Sequence, residues 1–235
     1  LSVNPFDFGM IGSSDIHTAL ATTEEDNYFG KFLHDGPAPG RTELKMAGQL
    51  QQIWLMVSSG LAGVWSTQNT REAIFDAMQR KEVFATTGSR IRVRFFAGWN
   101  FDDGTLQDSQ WTQKGYAQGV PMGGQLPATS DADLAPTLMI KAQKDPNAAH
   151  LDRIQVIKGW LDAEGKHHER IYDVVASGKR VRNSSNGLFE PVKDTTNLAT
   201  ATYSNAEGAA QLEGVWRDPD FDSEQAAFYY VRGLE

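Results

Sequence analysis

The residues that decide the fold are Phe6-Asp7-Phe8-Gly9-Met10-Ile11-Gly12-Ser13-Ser14-Asp15-Ile16-His17-Thr18. The apolar run at their start predicts a buried strand that ends in a turn of small residues. Side chains two apart on a strand point to the same face, so Asp15 and His17 can present a carboxylate and an imidazole to one cation. Enzymes built on α/β barrels place ligands at this end of their strands. The stretch therefore predicts half of a metal site; the alternative is a turn-forming Asp beside a packed His.

The composition is typical of a soluble globular protein. The 235 residues are 40% hydrophobic, and no uninterrupted apolar stretch is long enough for a transmembrane span. With 30 acidic and 22 basic residues the net charge is -8, which disfavours nucleic acid and anionic lipid as partners. The absence of cysteine excludes disulfides, thiolate catalysis and cysteine-ligated zinc. Any metal ion must therefore be held by oxygen and imidazole ligands.

Both ends of the sequence indicate a piece of a longer protein. The chain starts at Leu1 without an initiator methionine, and it shows no signal-peptide pattern. It stops directly after the strand-like run Ala226–Leu234. We therefore expect an upstream part of the same protein as a partner, while the compartment stays open between cytoplasm and periplasm.

The first part of the chain, Asp7 to Gly88, mixes strand-like and helical patterns. Asn69 followed three residues later by Glu72 predicts an N-cap and a capping box, and Leu50–Val57 predicts another, buried helix. Three apolar residues at helical spacing predict a face that packs into the core: Ile74, Phe75 and Met78. This part is typical of the end of an α/β barrel.

After Gly88 the pattern changes to short β-prone runs separated by Gly, Pro, Asn and Asp. Asp162–Gly165 predicts a hairpin turn, and residues 100–133 are predicted to be an irregular connection. Such spacing is typical of a β-sandwich. The predicted strands are Arg90–Phe96, Thr137–Ala142, Leu151–Trp160, Arg170–Ala176, Gln211–Trp216 and Ala226–Val231.

Residues 6–17 resemble the last metal-binding motif of the polymerase-and-histidinol-phosphatase (PHP) superfamily of metal-dependent phosphoesterases. In that motif a strand ends in a small-residue turn followed by Asp-x-His. Nearly the whole chain resembles one bacterial family, domain of unknown function family 3604, and specifically its C-terminal part. The further segments that carry this resemblance are Asn69–Met78, Lys81–Gly88, Arg90–Phe96, Lys158–Trp160 and Ala227–Arg232.

The resemblance implies an α+β fold with two domains. Residues 1–88 would be the C-terminal end of a PHP-like α/β barrel, and residues 89–235 a β-rich, sandwich-like accessory domain. It also implies a metal-dependent hydrolase that cleaves a small anionic ester, such as a phosphate ester, with metal-activated water. Asp15 and His17 would bind Zn, Mn or Fe, and Asp15 would also act in catalysis by orienting the water or taking its proton. The other ligands would lie upstream, so this chain by itself is expected to be inactive.

A loop that follows the pair supplies the candidate substrate-binding residues. Residues 24–31 are expected at the same end of the barrel, where loops carry substrate contacts. Asn27 can donate a hydrogen bond to an anionic group such as phosphate, and Lys31 can neutralise its charge. In the alternative interpretation the acidic run begins a solvated helix and Lys31 is an ordinary surface lysine.

A second class of function stays open, namely a non-catalytic β-sandwich that binds carbohydrate or a protein partner. Its candidate contact residues are the tryptophans Trp99, Trp111, Trp160 and Trp216. The carboxylates of residues 218–222 alternate as at the start of a calcium loop, but Ser223 stands where an EF-hand needs glycine. We therefore predict a surface turn there. The other histidines are expected to face solvent: His34, His150, His167 and His168.

Overall fold

A computed structural model describes residues 7–20, 29–35, 43–45, 52–129, 131, 133–200 and 202–235. These residues divide into two compact units. The N-terminal unit is Gly9–Arg90, and the β-rich unit is Ile91–Glu235 together with the described residues Asp7 and Phe8. Most of the regular structure is β-strand, with few helices, which confirms the predicted β-rich character. No helix among the described residues has the length and apolar character that crossing a bilayer requires.

The described part of the N-terminal unit is built on an antiparallel pair of strands. Strand β1, Leu61–Val64, pairs with β2, Val83–Thr86, so that Leu61 lies opposite Thr86. Helix α1, Arg71–Gln79, connects the two strands. The relation of this unit to an α/β barrel, and the assignment of residues 1–88 to it, stay predictions.

Two elements predicted for this unit take another form. Residues 7–16 belong to no strand, which corrects the strand predicted from the apolar run. The apolar side chains that were expected to be buried in this strand, Phe8, Met10 and Ile11, are 59%, 45% and 56% exposed, so burial does not favour a strand here. Within the helix predicted at residues 50–57, the described residues form a single 3-10 turn, Ile53–Met56. Ile53 is its buried residue, so the turn has no continuous apolar face to extend it.

Helix α1 begins one residue later than the sequence pattern suggested. Its N-cap is Thr70, in an extended conformation, and the Thr70 Oγ1 accepts a hydrogen bond of 3.3 Å from the Ala73 backbone N–H. Asn69, the predicted N-cap, precedes this cap by one residue, and the third position after the cap is Ala73, so the predicted capping box with Glu72 is wrong. The predicted core face is also wrong in part, because Phe75 and Met78 are 58% and 44% exposed. Among the residues of α1, only Ala77 is buried.

We expect Thr70→Ala to lower the free energy of unfolding of the N-terminal unit by about 1 kcal/mol, the usual effect of removing an N-cap side chain. Asn69→Ala is the matched control and should change it by less than about 0.5 kcal/mol. Urea denaturation measures the free energy of unfolding of both variants. Hydrogen exchange of peptides that cover Arg71–Gln79 shows whether the loss lies in the helix. A larger loss for Asn69→Ala than for Thr70→Ala would contradict the observed cap.

The described part of the β-rich unit contains seven strands. They are Arg92–Gly98 for β3, Gly119–Pro121 for β4, Thr137–Gln143 for β5, Arg153–Leu161 for β6, His167–Ala176 for β7, Gln211–Arg217 for β8 and Ala227–Leu234 for β9. Helices α2, Asp103–Gln107, and α3, Trp111–Gln118, lie between β3 and β4. One antiparallel sheet has the order β4-β3-β5-β8, and the other has the order β7-β6-β9.

An apolar core joins these two sheets. Alternate side chains of a strand face the same way, so β5 and β6 can each turn an apolar face inward. The fully buried residues of this core are Leu138, Ile140, Leu151, Ile154 and Val156. A second cluster, on the other face of the β3–β5 sheet, contains Phe96 and Met139 and is covered by Leu106 of α2. The sheets therefore form a β-rich domain with helices on one outer face.

The predicted strands of this unit are all present, although their end residues differ by a few positions. The hairpin turn is confirmed as well, because Asp162 Oδ1 accepts a hydrogen bond of 2.8 Å from the Lys166 N–H and Gly165 has a positive φ of 78°. The irregular connection predicted at residues 100–133 is wrong, since it contains α2, α3 and β4. Asp102 caps α2 by accepting a 2.7 Å hydrogen bond from the Thr105 N–H. Both helices are too short to show a periodic apolar pattern.

Candidate metal centre

The segment that carries Asp15 is fixed to the N-terminal unit by glycine contacts and hydrogen bonds. A Cβ on Gly12 would lie 2.5 Å from the Thr86 carbonyl oxygen and 2.6 Å from the Leu61 carbonyl oxygen. The Ser58 N–H donates a 3.0 Å hydrogen bond to the Ser14 carbonyl. The backbone therefore passes directly against β1 and β2, and this contact sets the position from which the next residues project.

Asp15 itself lies in the left-handed backbone region, with φ of 57°. Asp is among the few non-glycine residues that adopt this conformation readily. The Ile16 N–H donates to Ser14 Oγ at 3.3 Å, and the His17 N–H donates to the Lys31 carbonyl at 2.8 Å. The turn at Asp15 thus redirects the chain, and the backbone of Lys31 holds His17 after the turn.

The two predicted ligands lie side by side. Asp15 Oδ1 is 3.1 Å from His17 Nε2, and the two side chains are 66% and 54% exposed. Sequence reasoning predicted this proximity from strand geometry, whereas the structure produces it through the left-handed turn. The pair is therefore open to solvent and presents a carboxylate oxygen and an imidazole nitrogen at one point.

Lys31 lies behind this pair and not beside it on the surface. Its side chain is only 4% exposed, and Nζ donates to Asp15 Oδ2 and, at 2.8 Å, to the Met56 carbonyl. The Lys31 ammonium, and after it the His17 ring, hydrogen-bond the Asp15 carboxylate and lower the pKa of Asp15. Phe32 packs edge-on against the His17 ring at 4.9 Å between centroids. The dipeptide Lys31-Phe32 therefore contacts both predicted ligands.

The chemistry of the pair fits a divalent metal ion. Zinc ligands lie about 2.0–2.2 Å from the ion, so two ligands of one ion are about 3–3.5 Å apart. The observed 3.1 Å between Asp15 Oδ1 and His17 Nε2 is in this range, and at this distance the two groups hydrogen-bond each other directly. Within the described ranges, no group of three or more His, Asp or Glu side chains is placed to hold an ion. Asp15 and His17 alone provide two donors, and the predicted substrate residue Asn27 lies outside the described residues.

Sequence reasoning missed the Met56 carbonyl and the way in which Lys31 reaches Asp15. The 3-10 turn Ile53–Met56 delivers that carbonyl, and nothing in its side chains signals the role. The pairing of Lys31 with Asp15 spans 16 residues, so local spacing carries no sign of it. A buried lysine beside an exposed carboxylate could only be found from the folded chain.

The tryptophans of the alternative interpretation all pack against neighbouring side chains. Trp111 contacts Phe96 edge-on at 5.6 Å, and Trp216 lies 5.1 Å from Tyr172. Trp99 packs on Phe221 at 5.8 Å and Trp160 stacks on His168 at 5.3 Å. His168 also lies 2.6 Å from Asp162 Oδ2, which corrects the prediction that it simply faces solvent. These contacts account for the aromatic residues within the fold of the β-rich unit.

Comparison with protein families identifies a matching family. A family model described as "Protein of unknown function (DUF3604)" matches residues 1–235. No curated protein and no solved structure matches the chain significantly. The match extends over both units, and its description names no function.

Proposed function

Since this chain belongs to the DUF3604 family of proteins of unknown function, we propose that it is part of a metal-dependent hydrolase related to the PHP superfamily. Its substrate would be a small anionic ester, such as a phosphate ester. The observation that carries the proposal is the solvent-open pair of Asp15 Oδ1 and His17 Nε2 at 3.1 Å. The left-handed turn at Asp15 holds an exposed carboxylate and an exposed imidazole together, as a pair of metal ligands requires.

Each residue of the pair has a distinct part in this proposal. Asp15 Oδ1 and His17 Nε2 hold the ion, which is Zn, Mn or Fe, and the lowered pKa keeps Asp15 ionised for this role. When bound, the metal supplies Lewis-acid activation of water and of the ester. We propose that Asp15 also orients the attacking water or takes its proton.

Two donors are too few for a catalytic ion, since catalytic zinc sites use three protein ligands. We propose that an upstream part of the same protein supplies the others, and that this chain forms the C-terminal part of the site. Asn27 is proposed to contact the anionic group of the substrate. The β-rich unit would be an accessory domain in this arrangement.

The test is the metal content of the full-length protein that contains this chain. Samples equilibrated with Zn²⁺ or Mn²⁺ and then desalted are measured by inductively coupled plasma mass spectrometry, and hydrolysis of p-nitrophenyl phosphate is followed in parallel. We expect the Asp15→Ala/His17→Ala variant to lose at least about 90% of the bound metal, because each lost ligand costs more than tenfold in affinity. Hydrolysis of p-nitrophenyl phosphate by this variant should fall as well.

The matched control is Glu164→Ala/His167→Ala, which removes an exposed acid and an exposed histidine from the β6–β7 hairpin of the other unit. It should keep the metal content and the hydrolysis of the unchanged protein. Equal metal content in all three proteins would contradict the metal site. Binding of an oligosaccharide or a protein partner with no metal dependence would instead favour the non-catalytic module.

A further inference from the structure

We propose that Lys31 is a positioning residue of the metal site: its ammonium holds Asp15 Oδ2 so that Oδ1 faces His17 and the ion. The inference rests on the proposed function. It differs from the substrate-binding role that the sequence suggested for Lys31. The geometry of the side chain and of the backbone both point to it.

The burial of Lys31 is the first step. Its side chain is 4% exposed, while the Asp15 side chain is 66% exposed, so the ammonium approaches the carboxylate from the interior. A buried ammonium needs polar partners to offset its lost hydration, and here Asp15 Oδ2 and the Met56 carbonyl are among them. An anionic substrate in solvent would meet the outer oxygen of Asp15 before it met this group.

The backbone of the same residue supplies the second step. The Lys31 carbonyl accepts a 2.8 Å hydrogen bond from the His17 N–H, and the Phe32 ring packs edge-on against the His17 ring. One short segment therefore fixes both members of the pair, the carboxylate through the lysine side chain and the imidazole through backbone and ring. Partners of this kind orient metal ligands and set their basicity.

The chemical consequence concerns the way in which Asp15 can bind an ion. With Oδ2 engaged by Lys31, the carboxylate offers Oδ1 alone. Calcium commonly takes carboxylates through both oxygens, whereas zinc and similar ions accept a single oxygen beside an imidazole. Lys31 thus favours a transition-metal ion over calcium at this pair.

The experiment compares Lys31→Met with the unchanged full-length protein by isothermal titration with Mn²⁺ and by the electron paramagnetic resonance spectrum of bound Mn²⁺. We expect the dissociation constant to rise at least about tenfold, as for other residues that orient ligands, together with an altered spectrum. Lys31→Arg, which keeps a cationic donor, should restore part of the affinity. Lys45→Met removes an exposed lysine of the same unit and is the matched control.

A second measurement uses the metal-free protein and serves if Lys31→Met does not fold. The hydrogens of a buried, hydrogen-bonded ammonium group exchange slowly with water, so its ¹⁵N NMR signal is visible. We expect such a signal for Lys31, and we expect it to disappear in Asp15→Ala. Its absence, or its persistence in Asp15→Ala, would overturn the inference, as would unchanged Mn²⁺ affinity in a folded Lys31→Met. Lack of metal binding by the unchanged protein would instead overturn the proposed function, and the inference with it.

Discussion

Asp218→Ala is expected to lower the free energy of unfolding by about 3–5 kcal/mol, the effect of breaking a buried ion pair on one side. The Asp218 side chain is fully buried, and its Oδ2 accepts hydrogen bonds of 2.7 Å from Lys158 Nζ and 2.6 Å from the Tyr229 hydroxyl. Without the carboxylate, the 3% exposed Lys158 ammonium keeps the Asp220 carbonyl at 2.7 Å but loses its counter-charge. Burial and then the hydrogen bond to Asp218 raise the pKa of Tyr229, so its hydroxyl stays a donor.

A double-mutant cycle separates this pair from simple loss of packing. Lys158→Met alone should also be strongly destabilising, because it leaves the Asp218 carboxylate buried without its cation. The combined Lys158→Met/Asp218→Ala variant should lose clearly less than the sum of the two single variants. Urea denaturation monitored by tryptophan fluorescence measures all three.

Asp222→Ala is the matched control, since Asp222 lies in the same β8–β9 connection and is exposed. Its Oδ1 accepts one local hydrogen bond from the Glu224 N–H, so a loss of less than about 1 kcal/mol is expected. Equal losses for Asp218→Ala and Asp222→Ala would contradict the buried pair. Additive single losses in the cycle would do so as well.

This pair also marks a limit of sequence reasoning. Residues 218–222 were predicted to form a surface turn because Ser223 stands where a calcium-binding EF-hand loop needs glycine. The turn is present, but Asp218 points inward to Lys158 of β6, a partner 60 residues away. A lysine in the middle of a strand pattern gives no indication of which acid will neutralise it. Such a pairing depends on how the sheets stack.

The strands of the β-rich unit were predictable because β-prone runs and turn residues act locally. Each predicted strand, such as Thr137–Ala142, has its apolar residues and its bounding turns within about ten positions. The helices at residues 103–118 were not predictable in this way, since their apolar contacts, Leu106 among them, are made with a distant sheet. Short helices supported by tertiary packing carry little sequence signal.

The candidate site was likewise predictable from the sequence only in part. The identity of Asp15 and His17 as a pair came from their spacing, although the turn that joins them is left-handed and not a strand. The role of Lys31 was beyond the sequence, because a lysine 16 residues from Asp15 is more often solvated than buried against it. Residue types thus indicated the donors, and only the fold showed what holds them.

Gly12→Ala is expected to destabilise the N-terminal unit by about 1–3 kcal/mol, the usual effect of forcing extra atoms into a packed position. The added Cβ would lie 2.5 Å from the Thr86 carbonyl oxygen and 2.6 Å from the Leu61 carbonyl oxygen. Both atoms belong to the backbone of paired strands, so neither can move aside by a change of side-chain rotamer. The segment before Asp15 must shift instead, and the metal ligands shift with it.

The variant should therefore lose metal affinity at least about tenfold at temperatures where it stays folded, because ligands tolerate only small displacements. Gly88→Ala is the matched control, since its Cβ would meet only Ser59 Oγ, at an ordinary 3.9 Å. Hydrogen exchange over Leu61–Val64 and Val83–Thr86 measures the local stability, and titration with Mn²⁺ measures the site. Loss of stability with unchanged Mn²⁺ affinity would show that the backbone contact at Gly12 supports the strands without setting the position of Asp15.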